Sequence, residues 1–264
     1  CCGGSSGSQC EETYRGAAPA SEPEVQAVQA YLQANFPDQR LPGLNEPAPP
    51  DATGVYLDIH SYSELVLWSW GFTATPAPNA TALTTLGRKF AYFNGYYPEQ
   101  AIGLYPTDGT TDDFGYGDLG VAAYTFELGT EFFQSCSFFE SAILPGNLPA
   151  LRYAAKVART PYMTPAGPDA LAVAAVPGVI APGDPVDVIA TLDETRYSSA
   201  NGAEPVQAIA AAELYLATPP WAGGTPVAMS ADDGAFNETV EAATATLDGA
   251  ATAALASGRH LVYV

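Results

Sequence analysis

Histidine and basic side chains are the scarcest chemistry in this chain. Its 264 residues hold two histidines, and nine lysines plus arginines stand against 29 aspartates plus glutamates, a formal net charge of -20. So acidic a surface repels nucleic-acid phosphates and anionic membrane faces, and neither is expected as a partner. Long apolar runs are also missing. None approaches the roughly 18–20 residues that a membrane-spanning helix needs. No Gly-x-Ser-x-Gly occurs, and the adjacent His60 and Ser61 point apart on a strand, which argues against a serine hydrolase. The acidic run Asp108-Gly109-Thr110-Thr111-Asp112-Asp113 lacks the ligand order of an EF-hand. There is no internal repeat and no long low-complexity tract.

Cysteine is sparse and unevenly placed, at 1, 2, 10 and 136. Cys1-Cys2 is not a metal-binding spacing, and no histidine lies nearby. A disulfide-tied loop is expected, with Cys1 or Cys2 bridged to Cys10 and the pairing left open among three. Such a loop belongs to an oxidising compartment, so an extracellular protein is expected. No signal peptide is present, and the first residue is Cys rather than Met, so an upstream part is expected to have been removed or left out.

What is present reads in two halves. Ser21-x-x-Glu24 with Pro23 opens a helix running to about Asn35, with Val25, Val28 and Leu32 as its buried stripe. Five prolines between 37 and 53 mark a surface loop. A strand follows at 55–60, and Trp68 and Trp70 beyond it read as core. Leu83, Leu86, Phe90 and Phe93 recur at helical spacing. Residues 105–128 read as a polar, Gly-rich loop that ends in a strand, and a last helix covers Leu148 to Arg159. Residues 163–169 read as a linker. From 170 on, short Val/Ile/Leu runs at 186–192 and 213–216 between Pro, Gly and Asp turns predict a small β-sandwich over 170–264.

Two stretches carry chemistry. In Val55-Tyr56-Leu57-Asp58-Ile59-His60, a period of two puts Tyr56, Asp58 and His60 on one face. In Val121 to Leu128 the same period puts Glu127 at the end of a face of small residues. A carboxylate at a strand end either meets a cation, lines a site, or is simply solvated. A lone strand-end histidine is by itself a common structural residue.

Together the stretches resemble the zinc carboxypeptidases of the carboxypeptidase A/B type. The resemblance rests on Ile59-His60-Ser61-Tyr62-Ser63-Glu64-Leu65, Tyr105 and Thr125-Phe126-Glu127-Leu128. Upstream, Cys10-Glu11-Glu12-Thr13-Tyr14-Arg15-Gly16 and Ser21-Glu22-Pro23-Glu24 add to it. It covers residues 1–162 and implies an α/β fold, a mixed sheet with helices on both faces, N-terminally incomplete. It implies Zn²⁺ with His60 as a ligand, and Glu127 as the general base. Tyr105 would bind the substrate's terminal carboxylate, Ser61 and Tyr62 would line the cleft, and Asp112 would floor the side-chain pocket, favouring basic C-terminal residues. The implied partners are peptide and protein C-termini, with the protein a monomer. The family's His-x-x-Glu ligand pair does not occur here, and the resemblance places its substrate-carboxylate and oxyanion arginines and its Asn-Arg pair upstream of the matched residues as well. Residues 1–162 are therefore expected to be the C-terminal part of a catalytic domain, inactive alone. The rival from another class is a non-catalytic secreted peptide- or glycan-binding protein.

Overall fold

The computed structural model describes residues 4–264. The chain divides into two units. One is the chain up to Ala166 together with Tyr197–Glu204, and the other is Gly167–Arg196 with Pro205–Val264.

The first unit is built on a four-stranded sheet. Its strands are β1 (Val55–His60), β2 (Leu65–Trp68), β3 (Tyr97–Gln100) and β4 (Ala122–Glu127), in the order β1-β4-β2-β3. β1 pairs parallel to β4, β4 antiparallel to β2, and β2 parallel to β3. The sheet is therefore mixed. Period-two alternation gives it two faces. Val55, Leu57 and Ile59 share one with their ladder partners Ala122, Tyr124 and Phe126. Two helices cover that face, α2 (Ala80–Asn94) and, after the short helix α4 (Cys136–Phe138) and a further turn, α5 (Leu144–Val157). Phe90 of α2 packs edge-on against Phe126 at 5.3 Å and against Tyr153 of α5 at 6.3 Å. The Tyr124 hydroxyl donates to the Leu83 carbonyl at 2.8 Å, which satisfies a polar group at the centre of this core. Gly87 lets α2 sit close, since a Cβ there would lie 2.6 Å from the Trp68 ring.

The opposite face carries Tyr56, Asp58 and His60 beside Ala123, Thr125 and Glu127. Two further helices lie over it, α1 (Pro23–Asn35) and α3 (Thr111–Leu119). Helices on both faces match the expected fold class. Where α3 crosses, a Cβ on Gly115 would sit 3.2 Å from that of Ala123 and 3.8 Å from the Tyr56 ring. Helix α3 corrects the reading of 105–120 as loop. Its glycines lower helix propensity, but they permit this close crossing, and Asp112 and Asp113 in the first turn favour a helix N-terminus. The α1 stripe is also narrower than expected. Leu32 is fully buried, while Val25 and Val28 are more than a third exposed. The final helix starts at Leu144, four residues before the expected start.

A strap completes this unit from far along the chain. The Arg88 guanidinium on α2 donates to Glu204 Oε2 at 2.7 Å and to the Asn201 carbonyl at 2.6 Å. The Lys89 ammonium, fully buried, lies 4.1 Å from the centre of the Tyr197 ring. Asn201 donates to the Pro98 carbonyl at 2.9 Å.

The second unit is all antiparallel. One sheet is β5 (Asp169–Val176), β6 (Val186–Asp193), β10 (Val240–Leu247) and β9 (Ser230–Ala231), in that order. The other is β11 (Val262–Tyr263), β7 (Glu213–Leu216) and β8 (Pro226–Ala228). Val188, Leu192, Ala243 and Leu247 from the first sheet share one apolar core with Leu214 from the second, which makes a β-sandwich. Alternation along β6 and β10 buries every second side chain, as the sequence pattern implies.

Candidate functional site

Two strand ends meet at the edge of the first sheet. His60 and Glu127 are the last residues of β1 and β4 and are Cα partners in the parallel ladder. His60 Nδ1 lies 3.7 Å from Glu127 Oε1. On the other side of the imidazole, Nε2 lies 3.3 Å from Asp58 Oδ2. Asp58 in turn accepts a short hydrogen bond from the Thr111 hydroxyl at the start of α3. The side chains thus form a line, Thr111–Asp58–His60–Glu127, on one face.

The electrostatics follow from this line. The hydrogen bond with Asp58 raises the His60 pKa above the usual imidazole value, and the charges of Asp58 and Glu127 act in the same direction. Asp58 is held below the usual carboxylate range, first by the same hydrogen bond. Glu127 is pushed up, because it is buried among apolar neighbours and the His60 charge offsets only part of the desolvation. A buried carboxyl with a raised pKa beside an imidazole is suited to accept and return a proton.

The other expected residues are spread around this point. Ser61 donates to the Phe132 carbonyl at 3.2 Å, and the half-exposed Tyr62 ring stands edge-on to Phe132 at 5.9 Å. Tyr105, 58% exposed, lies in the loop that leads into α3. Asp112, in the first turn of α3, is only 2% exposed. Its carboxylate accepts from the Asp113 amide at 3.0 Å, and burial raises its pKa. Cys10 is exposed at a turn with φ of 74°, and the partners expected for its bridge are Cys1 or Cys2. Cys1 and Cys2 lie outside the described residues.

Sequence reasoning put Asp58 on the face of His60 but gave it no role, and it weighed Thr111 and Asp113 only as neighbours of Asp112. Period two was the signal for Asp58. Nothing local marked Asp113, which accepts the Gly71 amide at 3.1 and 3.2 Å and is pushed by burial and the neighbouring Asp112 to a pKa of about 7. A groove of ≈ 710 Å³ also opens here, lined by His60 and Ser61 together with Ile59, Phe132, Phe133 and Glu140.

The donor set tests the implied zinc. A catalytic zinc takes three protein ligands and leaves one position for water. Among the described residues no group of three His, Cys, Asp or Glu side chains is placed to hold a metal ion. His60 offers one imidazole nitrogen, so these residues do not by themselves fit the metal.

Comparison with known proteins gives this geometry its context. A zinc carboxypeptidase from Saccharothrix mutabilis subsp. capreolus is 42% identical over 79 residues, 28% of this chain and 18% of that protein. Carboxypeptidase B of Bos taurus is 34% identical over 136 residues, 48% of this chain and 29% of that protein. The chain thus spans less than a third of the length of these curated relatives. The crystal structure of thrombin activatable fibrinolysis inhibitor is similar over 59% of this chain and 38% of that one, at 24% identity and a TM-score of 0.48. The family profile described as "Zinc carboxypeptidase" matches residues 1–145, more than half of the sequence, and the chain belongs to that family.

Proposed function

We propose that this chain carries the base-bearing part of a secreted metallocarboxypeptidase, an enzyme that hydrolyses the C-terminal peptide bond of peptides and proteins. The observation that supports it most is the pairing of His60 with Glu127 at adjacent strand ends. Glu127 is the general base. It takes a proton from the water that attacks the scissile carbonyl and passes it to the amine as the C–N bond breaks. The water oxygen becomes part of the new carboxylate. Tyr105 donates to the terminal carboxylate of the substrate, and Ser61 and Tyr62 line the cleft. Asp112 gives the side-chain pocket its preference for basic residues. The enzyme acts as a monomer on peptide C-termini.

Zinc is the cofactor implied by the family, and His60 is one of its ligands. The His-x-x-Glu pair that the family uses beside it does not occur in these 264 residues, so the chain alone is inactive in this reading. The single imidazole also favours a second reading, a non-catalytic secreted protein that binds peptides or glycans. The experiment is to supply an N-terminal half from a relative, carrying His-x-x-Glu, and to measure zinc content and release of C-terminal amino acids. Zinc binding with C-terminal trimming, lost in Glu127→Gln while zinc stays bound, supports the enzyme. Peptide binding without zinc or trimming supports the second reading.

A further inference from the structure

We propose that the β-sandwich holds a binding cavity for a small amphipathic carboxylate, an aliphatic chain with one anionic head. The proposed hydrolysis gives this unit no role. A cavity of ≈ 490 Å³, within the size range of small-molecule sites, opens at the end of the sandwich where β5 passes to β6. Its floor is the sandwich core itself, since the buried Val188 and Leu247 belong to that core and also line the cavity. Two stretches of chain wall it, the β5–β6 connection around Ile180 and the segment from the short helix α6 (Gly249–Ala253) to Val262. These walls are tied to each other. The buried Thr252 hydroxyl donates to the Asp184 carbonyl at 2.8 Å, and Gly249 passes so near Gly183 that a Cβ there would collide with the Gly183 carbonyl. A cavity with bonded walls needs little ordering to accept a ligand.

The chemistry of the lining selects the occupant. No carboxylate and no Phe, Tyr or Trp lines the cavity. Aliphatic side chains such as Val186, Leu255 and Val262 offer dispersion contacts but no ring for stacking, so a hydrocarbon chain fits them better than a flat aromatic. The charged and titratable side chains in the lining are the neighbours Arg259 and His260, both exposed and therefore at the mouth. His260 Nε2 stands 2.8 Å from the Ala256 carbonyl, which can only accept, so that nitrogen carries a proton and is already engaged. Arg259 is left to read the head of a ligand. It and Arg196 are the only lysine or arginine residues in a unit rich in Asp and Glu, and Arg196 pairs with Asp169 at 3.4 Å. A cationic rim in an otherwise acidic unit thus stands over an aliphatic cavity. A chain that ends in a carboxylate satisfies both, because a guanidinium grips a carboxylate with two parallel hydrogen bonds.

Sodium octanoate, kept below its micelle concentration, is the probe, titrated into the full chain while methyl and amide NMR signals are followed. Saturable shifts should appear at Val188, Leu247, Leu255 and Val262 and leave the signals of the first unit unchanged. Affinity should rise about threefold to fourfold per methylene from hexanoate to octanoate. Octanoate should bind about tenfold more tightly than 1-octanol, and octyltrimethylammonium more weakly than either. Arg259→Gln, a change to an exposed side chain that should leave the fold intact, should erase the preference for octanoate over 1-octanol. Ala256→Trp, on the rim, should close the cavity to both. The proposal is overturned by the absence of saturable shifts at those four residues, by octyltrimethylammonium binding as tightly as octanoate, or by an octanoate-to-octanol ratio unchanged in Arg259→Gln. A peptide ending in Leu that saturates the same signals where octanoate does not would overturn it as well, and would make the cavity a peptide site.

Discussion

His60 and Glu127, the last residues of two parallel neighbouring strands, are ladder partners whose Nδ1 and Oε1 lie 3.7 Å apart. The relationship is made by backbone register. A slip of one residue in either strand would turn one of the two side chains to the other face of the sheet. Chemistry that needs an imidazole and a carboxylate together is thereby tied to a fully buried strand, since all six residues of β4 are buried.

Glu127→Gln should leave this register intact. In the enzyme completed with the missing ligands, kcat should fall by roughly 10²–10⁴-fold, the usual range for a general base, with KM within a few-fold. The same substitution removes a carboxylate whose burial disfavours its charge, so the chain should become slightly more stable at neutral pH, by about 1 kcal/mol. Urea unfolding reads the second effect and C-terminal release the first. A variant with near-normal kcat would move the base elsewhere.

Asp112 should set the preference for the residue that is removed. A carboxylate at the end of a half-enclosed pocket is stabilised by a guanidinium or ammonium and left unpaired by an apolar side chain, a difference on the order of 1–3 kcal/mol. Matched peptides ending in Arg, Lys, Leu and Phe should then differ in kcat/KM by about tenfold to a hundredfold, and Asp112→Ile should erase the ratio. Because Asp112 is 2% exposed and accepts the Asp113 amide in the first turn of α3, a structural role in that turn is the competing one. An unchanged Arg-to-Leu ratio in Asp112→Ile would leave it only that role.

Asp113 should make the first unit less stable as pH rises. Its carboxyl goes from an ordinary value of 3.8 to about 7 in the fold, so the protonated form is the one the fold favours. The contribution is complete below the unfolded value and is lost as pH climbs through about 7. At about 1.36 kcal/mol per unit, the shift corresponds to roughly 4 kcal/mol. Asp58, whose pKa is depressed, works in the opposite sense, and its contribution is lost as pH falls. A pH series of urea unfolding curves should therefore decline between about 4 and 7, and Asp113→Asn should flatten the decline. An equally steep decline in the variant would assign it to other groups.

Gly87→Ala should destabilise the chain although alanine is the better helix former by about 1 kcal/mol. The added methyl would meet the Trp68 ring, itself buried against Tyr124 at 6.4 Å, and overpacking of this kind costs about 1–3 kcal/mol. A thermal midpoint equal to or above that of wild type would show that the Trp68 ring can yield.

Much of the sheet was legible in the sequence because its signals are local. The alternation in Val55–His60 and Ala122–Glu127 placed both strands, and the spacing of Leu83, Leu86 and Phe90 placed α2. Helix α3 was not legible, because its glycines answer to a close crossing over Ala123 that no local pattern records. The exposure of Val25 and Val28 escaped for the same reason, since apolar spacing shows a stripe but not what covers it. At the site, His60 and Glu127 stood out as chemistry at strand ends, whereas Asp113 draws its altered acidity from burial and a neighbour, quantities that exist only after folding.

The strap from Tyr197 to Glu204 has a consequence for how the protein is made. A chain leaves the ribosome from its N-terminus at about 5–20 residues per second, and its domains tend to fold in that order. Here the first unit cannot close in that order. The segment that meets Arg88 and Lys89 emerges only after β5 and β6, strands of the other unit, have been synthesised. Synthesis stalled at the Pro-rich stretch around Thr160–Pro168 would therefore hold a nascent chain whose basic pair still awaits its acidic and aromatic cover, and the completed first unit is a late product of translation rather than an early one.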